Sequence, residues 1–241
     1  MPTPARLFQV LDATWPAAAL HSCGQWTIRE GQGGGQRVSA ATLDAGSGPD
    51  DIEMAEYKMK AIGQTPLFMI RGQDSELDAA LESRNYRVID PVTVYVGKTE
   101  MMTANLTIAT VLTNWPPLAI QLKLWKAGGI NADRVAIMER CEGTKTSVLA
   151  RAGDVPAGTA FVACDKDIAM IHAIHVGDAV RRQGAGRRLM QGCANWAIEQ
   201  GAEWLSLAVT CANEPANEMY RALGMEPAGS YHYRRAPEVP K

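Results

Sequence analysis

Between Ile168 and Val176 the chain is apolar almost without a break, with β-branched Ile168, Ile171, Ile174 and Val176 among its residues. This is the pattern of a strand covered on both faces. Gly177 and Asp178 end the run, and a basic loop follows, Arg181-Arg182-Gln183-Gly184-Ala185-Gly186-Arg187-Arg188. Beyond it Leu189, Met190, Cys193, Ala194, Ala197 and Ile198 recur at the spacing of one helix face. Strand, turn, loop and amphipathic helix thus run in series from Asp167 to Glu199.

Before this block the pattern predicts a helix between Pro4 and Leu20 (Leu7, Val10, Leu11), interrupted at Trp15-Pro16, then short strands over Trp26–Arg29 and Arg37–Leu43. The run Gly31-Gln32-Gly33-Gly34-Gly35-Gln36 opens no helix, so it reads as a hairpin turn rather than a phosphate loop. A helix capped at Asp50 or Asp51 runs to Ile62, and a strand follows at Leu67–Ile70. The next helix starts at Asp74 or Ser75, with Leu77, Ala80 and Leu81 inward; strands at Val88-Ile89 and Val92–Val96 come after it.

Lys98 to Asn105 is the most polar join, and the domain boundary is placed there. Trp115-Pro116-Pro117 starts a helix with Leu118, Leu122 and Trp125 on its buried side, stopped by Gly128-Gly129; Asn131 caps a second helix through Arg140. Strands at Ser147–Arg151 and Ala160–Cys164 flank a Gly153-Asp154-Val155-Pro156 turn. After the central block come a strand at Leu205–Val209, a helix from Asn213 to Leu223 closed by Gly224, a hairpin over Met225–Arg234, and a frayed tail, 236–241.

Glycines at a helix N-terminus let a ligand approach the backbone while several N–H groups point outward, with the positive end of the helix dipole behind them. A phosphate or pyrophosphate suits such a loop. It is neither a Walker A motif nor a Rossmann fingerprint, because Gly-Lys-Ser/Thr and G-x-G-x-x-G are both missing from it. The spacing Arg181-x-x-Gly184-x-Gly186, five residues beyond Val176, resembles the acyl-CoA loop of the GNAT family of N-acetyltransferases. The element order over about 103–235 also resembles that family's core. The segment from Asn213 to Met225, with Tyr220 seven residues after Asn213, resembles the family's second signature.

The resemblance implies an α/β (α+β, mixed-sheet) fold with tandem GNAT-like domains: 1–98, truncated or degenerate and not binding acyl-CoA, and 103–235, catalytic. It implies acetyl-CoA as cosubstrate, with Ile174 and Val176 pairing to the pantetheine arm at a splayed strand edge. Amides of Arg182, Gln183, Gly184, Ala185, Gly186 and Arg187 would hold the pyrophosphate, and Arg181 and Asn213 would also belong to the cofactor site. Tyr220 would contact it near the sulfur and serve as general acid; a core aromatic is the plainer reading of the same residue.

Counting by twos along the strand puts Ile168, Met170, His172, Ile174 and Val176 on one face and His175 on the other. His172 resembles the general base of the arylalkylamine N-acetyltransferase branch, although Met170 stands where that branch has a second histidine. A hydrogen-bonded core histidine is the alternative, with deprotonation through water or an unplaced carboxylate also open. His175 reads as structural. Cys211 has no histidine near it in sequence to make it a thiolate, so direct transfer in a ternary complex is expected.

Bulk properties add exclusions. The 241 residues carry 24 Lys and Arg against 26 Asp and Glu, a net charge of −2, so no global basic field recruits nucleic acid or a membrane surface. Five scattered cysteines without C-x-x-C spacing argue for reduced thiols in the cytoplasm and against a metal site. No signal peptide or membrane-spanning run is read. The expected reaction is acetyl transfer to a small-molecule or peptide amine by a monomer or homodimer. The alternative is a GNAT-fold protein that binds acyl-CoA or a metabolite without turnover.

Overall fold

The computed structural model describes residues 1–44 and 46–237. The expected frayed tail lies outside the described residues from 238 onward. In chain order the elements are α1 (Pro4–Thr14), β1 (Ala19–Cys23), β2 (Trp26–Glu30), β3 (Thr42–Leu43), α2 (Ile52–Ala61), β4 (Leu67–Arg71), α3 (Ser75–Ser83) and β5 (Arg87–Lys98). They continue with β6 (Val111–Asn114), α4 (Ala119–Ala127), α5 (Ala132–Arg140), β7 (Lys145–Ala152), β8 (Val155–Asp165) and β9 (Ile168–Val176). The last are α6 (Ala185–Glu199), β10 (Trp204–Thr210), α7 (Glu214–Ala222) and β11 (Glu226–Arg235).

Two compact units divide the chain. The larger takes Met1–Pro16, Val94–Val209 and Asn213–Ala228; the smaller takes Ala17–Thr93, Thr210–Ala212 and Gly229–Lys241. The division therefore falls inside β5, at the last residue of β10 and inside β11, the first of these a few residues from the polar join at Lys98, and gives α1 to the larger unit and the end of β11 to the smaller.

In the larger unit the strands lie in the order β5-β10-β9-β8-β7-β6. β6 to β9 form an antiparallel meander, and β9 and β10 are parallel, as the crossover through α6 requires. The α6 stripe is buried as its spacing predicts: Leu189, Met190, Cys193, Ala194 and Ala197 pack on Ala169, Ile171, Leu205 and Leu207, while Ile198 is exposed. Burial of Leu189 and Met190 stabilises the fold by about 1.5–3 kcal/mol each, and each alanine methyl by about 0.8 kcal/mol. A Cβ at Gly192 would come within 2.6 Å of Val111 Cγ1 and 3.0 Å of Val148 Cγ1, so the helix lies flat on β6 and β7 only because this residue has no side chain. On β8 and β9 lies α1, tied by Arg6 to Asp165 at 2.5 Å.

In the smaller unit β1, β2 and β3 form an antiparallel sheet, and β4 pairs antiparallel with the part of β11 that belongs to the unit. Trp26, Phe68 and Tyr86 meet edge to face at 5.3 and 5.6 Å in its core. Asp78 of α3 accepts from Arg234 at 2.7 Å and lies 2.8 Å from His232, which fastens α3 to β11.

Several expectations need correction. Arg37–Leu43 is a 3-10 turn over Gln36–Val38 with strand only at Thr42–Leu43; Arg29 ties the stretch between them to β2 through Ala40 O and Thr42 Oγ1, and Ala41 bridges to Phe68 of β4. The glycine run ahead of that turn lines a cavity of about 1450 Å³ together with Glu56, Lys60, Gln64 and Arg84. In α4 the inward residues are Gln121 and Trp125, whereas Leu118 and Leu122 are exposed. Gln121 turns inward because its amide serves the Leu118 N–H at 2.8 Å and the hydroxyls of Ser147 and Thr159. The two strands read at 88–89 and 92–96 are one, β5, which continues through Asp90 at φ 45°. Met225–Arg234 holds a single strand and no hairpin. β1 and β6 were not legible as strands.

Candidate functional site

The site is built on a break in β9. His172 stands opposite Phe161 and His175 opposite Thr159, so two residues of β9, Ala173 and Ile174, face the single Ala160 of β8. That is a β-bulge, and Ala173 takes the left-handed conformation, φ 52°, to make it. A one-residue insertion reverses the alternation beyond it. Ile174 and Val176 accordingly pack on the α6 side with Ala169 and Ile171, not on the face of His172. The shared face expected from counting by twos is overturned, since His175 and not Ile174 returns to the His172 side. The His175 ring there lies against Gly128, where an added Cβ would fall 2.3 Å from Nδ1. Partial burial holds the His175 imidazole below its ordinary range; the positive charge of Arg181 adds to this and Asp178 opposes it.

Where β9 bulges, it also leaves its neighbour. Its register with β10 runs from Ile168↔Trp204 to Ile171↔Leu207 and stops, although the strands continue to Val176 and Thr210. His172–Val176 therefore offers a strand edge beside β10, open to an extended ligand that bonds to backbone.

The strand leads into the loop. Arg182 (φ 64°) and Gly184 (φ 77°) are left-handed, and Gly184 is the N-cap residue of α6. The first backbone bond there runs from Arg188 N–H to Gly184 O at 3.0 Å, so the amides ahead of Arg188 have no intrahelical acceptor. Alternating backbone handedness turns such amides into an anion-binding concavity, and the helix dipole adds to it. Gly186 faces α7: a Cβ would lie 3.1 Å from Met219 Sδ. The arginines divide their work. Arg181 pairs with Asp178 at 2.6 Å and Arg188 donates to Gln183 O at 2.9 Å, while Arg182 and Arg187 are exposed.

Asn213 caps α7, its side chain accepting from Ala216 N–H at 3.4 Å. Tyr220, two turns on, is buried with its ring centroid 5.9 Å from that of Tyr95 on β5. Burial pushes its phenol well above the ordinary tyrosine range, and the nearby Cys193 thiol adds to this. Such a group keeps its proton at neutral pH. Sequence reasoning missed Asn217: its Oδ1 accepts from Tyr95 OH at 3.1 Å, and its Nδ2 donates to Asn213 O at 2.8 Å. The only sequence signal for it was an amide at i+4 from the capping asparagine, on the same helix face.

His172 is not placed to act as a base. It is 4% exposed, its ring is stacked on Trp15 at 5.0 Å, and its Nε2 is 2.8 Å from Thr14 Oγ1. The general-base expectation gives way to the core reading because α1, whose packing the strand pattern could not reveal, covers this position.

Residues 118–225 match the acetyltransferase (GNAT) family. Along 239 residues the chain is 24% identical to an uncharacterized N-acetyltransferase, YobR, of Bacillus subtilis (strain 168), covering 95% of this chain and 97% of that one. The fold is similar to that of a GCN5-related N-acetyltransferase from Kribbella flavida, with a TM-score of 0.77 at 18% identity over 99% of this chain and 97% of the other. It is also similar to a tandem GNAT protein from the clavulanic acid biosynthesis pathway, with a TM-score of 0.62 at 14% identity over 93% and 85% of the two chains. The GNAT match spans α4 to α7 and so contains the bulge, the open edge, the loop and Tyr220. Among the described residues no helix is long and apolar enough to cross a membrane.

Proposed function

We propose that this protein is an N-acetyltransferase that moves an acetyl group from acetyl-CoA to an amine by direct attack in a ternary complex. The observation that carries the reading is the end of β9–β10 pairing at Ile171↔Leu207, on the strand that feeds the α6 N-terminus. Extended pantetheine fits the open edge at Ile174 and Val176, and the diphosphate fits the amides from Arg182 to Arg187. Asn213 caps α7 beside this cleft and contacts the cosubstrate.

In the reaction the lone pair of an amine already free of its extra proton attacks the thioester carbonyl. The C–N bond forms, the C–S bond breaks, and the departing thiolate takes the proton of Tyr220, which burial keeps on the phenol until then; a proton from solvent afterwards restores the phenol. With His172 enclosed, the nitrogen's surplus proton leaves to solvent. The acceptor is a small molecule or peptide bearing an amine. The smaller unit does not hold acyl-CoA in this reading, since Arg-x-x-Gly-x-Gly does not occur before residue 98. Likeness in fold to a tandem GNAT protein supports treating the chain as a tandem.

The test is steady-state release of coenzyme A over a panel of amines, run beside calorimetric titration with acetyl-CoA. Turnover with at least one amine and measurable binding are expected. Binding without turnover on any amine would replace the enzyme reading with that of a non-catalytic acyl-CoA-binding protein. Absence of binding would overturn both.

A further inference from the structure

We infer that Trp125 is a positioning residue for this transfer, holding the β9 bulge in place through its indole N–H; the inference rests on the acyltransferase reading above. Trp125 is on α4, fully buried, and its Nε1 donates to the carbonyl of Ala173 at 2.8 Å. Ala173 is the left-handed residue of the bulge, φ 52°, and its side chain makes that conformation unfavourable by itself. A left-handed alanine persists only where its surroundings fix it.

The contact falls two residues past the last β9–β10 pair, Ile171↔Leu207, at the point where the strand edge becomes open. Reversal of alternation at Ala173 is what turns Ile174 and Val176 toward α6 and leaves the backbone between them along that edge. An indole N–H is a donor only, so in this buried place the Ala173 carbonyl is its partner and the bond has one direction. Helix α4 is itself fixed at its start by Gln121, which bonds to the Leu118 N–H and to Ser147. Trp125 thus links a rigid helix to the one strained residue on which the strand edge depends. It acts through the Ala173–Ile174 backbone and touches no reacting atom.

The test compares Trp125→Phe, which keeps an aromatic ring and removes the donor, with the same change combined with Ala173→Gly. Glycine adopts a positive φ without strain and so needs less support. W125F is expected to lower kcat roughly tenfold, as displacement of a reacting group does, with KM for acetyl-CoA within about threefold because the loop amides remain intact. The double variant is expected to recover about half of that loss on a logarithmic scale. Where W125F does not fold, Trp125→His, which retains a ring N–H but shortens its reach, takes its place and should show a smaller fall in kcat with the same rescue by Ala173→Gly.

Amide exchange over residues 172–176 is the second readout and needs no turnover: it should quicken in W125F while the α6 peptides stay unchanged. Equal exchange in the two proteins, or an unchanged kcat, would overturn the inference. So would a parallel fall in kcat, acetyl-CoA binding and melting temperature without rescue by Ala173→Gly, which is the mark of a merely structural tryptophan. Quickened exchange in W125F, beside a wild-type protein that turns over no amine, would keep the hold of Trp125 on the bulge and sink the enzymatic reading instead.

Discussion

The hydroxyl of Thr14 joins α1 to the centre of β9: its Oγ1 donates to Val10 O at 2.7 Å and lies 2.8 Å from Nε2 of His172. A hydroxyl has one proton, and this one is spent on Val10. Oγ1 is then left to accept, so Nε2 of His172 is the donor in this pair. Replacing the threonine by valine keeps the shape and leaves a buried N–H without this acceptor. Thr14→Val is expected to cost about 1–3 kcal/mol, read as a lower urea midpoint at constant slope, while Thr14→Ser should lose less than half as much. Equal stability in all three proteins would show that the contact does not hold α1 down.

The glycine loop makes a second expectation. Gly184 sits at φ 77°, where a side chain is strained, and an added Cβ would be 3.2 Å from the Arg188 guanidinium. Gly184→Val should weaken coenzyme A binding about tenfold or more, the equivalent of 1–2 kcal/mol of backbone strain. Gly186→Leu should do the same by displacing Met219, since even a Cβ there lies 3.1 Å from its sulfur. Calorimetric titration with coenzyme A reads both, and unchanged affinity would remove the loop from the binding site.

Much of this was legible in the chain. The strand, loop and α6 stand where apolar run, glycine spacing and helical stripe put them, because each of these signals is local. What failed was non-local. Counting by twos assumed an unbroken strand, and nothing in His172-Ala173-Ile174-His175 marks Ala173 as left-handed; the donor that sustains it, Trp125, is 48 residues away in sequence. The burial of His172 depends on α1, which lies 158 residues away at Thr14. The inward turn of Gln121 answers hydroxyls on β7 and β8, so hydrophobicity alone chose Leu118 and Leu122 for the buried side of α4.

Tyr220 gives an expectation with a split in its kinetics. Tyr220→Phe removes the proton donor and keeps the ring against Tyr95, so kcat should fall by about 10²-fold or more while KM for acetyl-CoA stays within about threefold. Burial raises the phenol's folded-state value above its unfolded one. Its contribution to stability is therefore complete below about pH 10 and is lost as pH rises beyond that. The wild-type protein should lose stability more steeply than Y220F above pH 10, measured by thermal melts. Coincident pH curves would place Tyr220 in a more open setting.

His175 works in the opposite sense. Burial, with Arg181 adding, lowers its folded-state value below the unfolded one, so the unfolded chain binds the proton more tightly. The stability this histidine provides is complete above about pH 6.5 and falls away as pH drops through its lowered value. His175→Gln should flatten the decline in melting temperature between pH 7 and pH 5. An unaltered decline would show that other groups govern it.

Hydrogen exchange of the backbone, followed by mass spectrometry with and without saturating coenzyme A, addresses the union of open strand edge and helix N-terminus most directly. Protection confined to peptides over His172–Val176 and Arg181–Arg187 is the expected result, with the meander of β6 to β8 unchanged. Binding that leaves those two stretches exchanging as before, or that protects another part of the chain instead, would contradict the account.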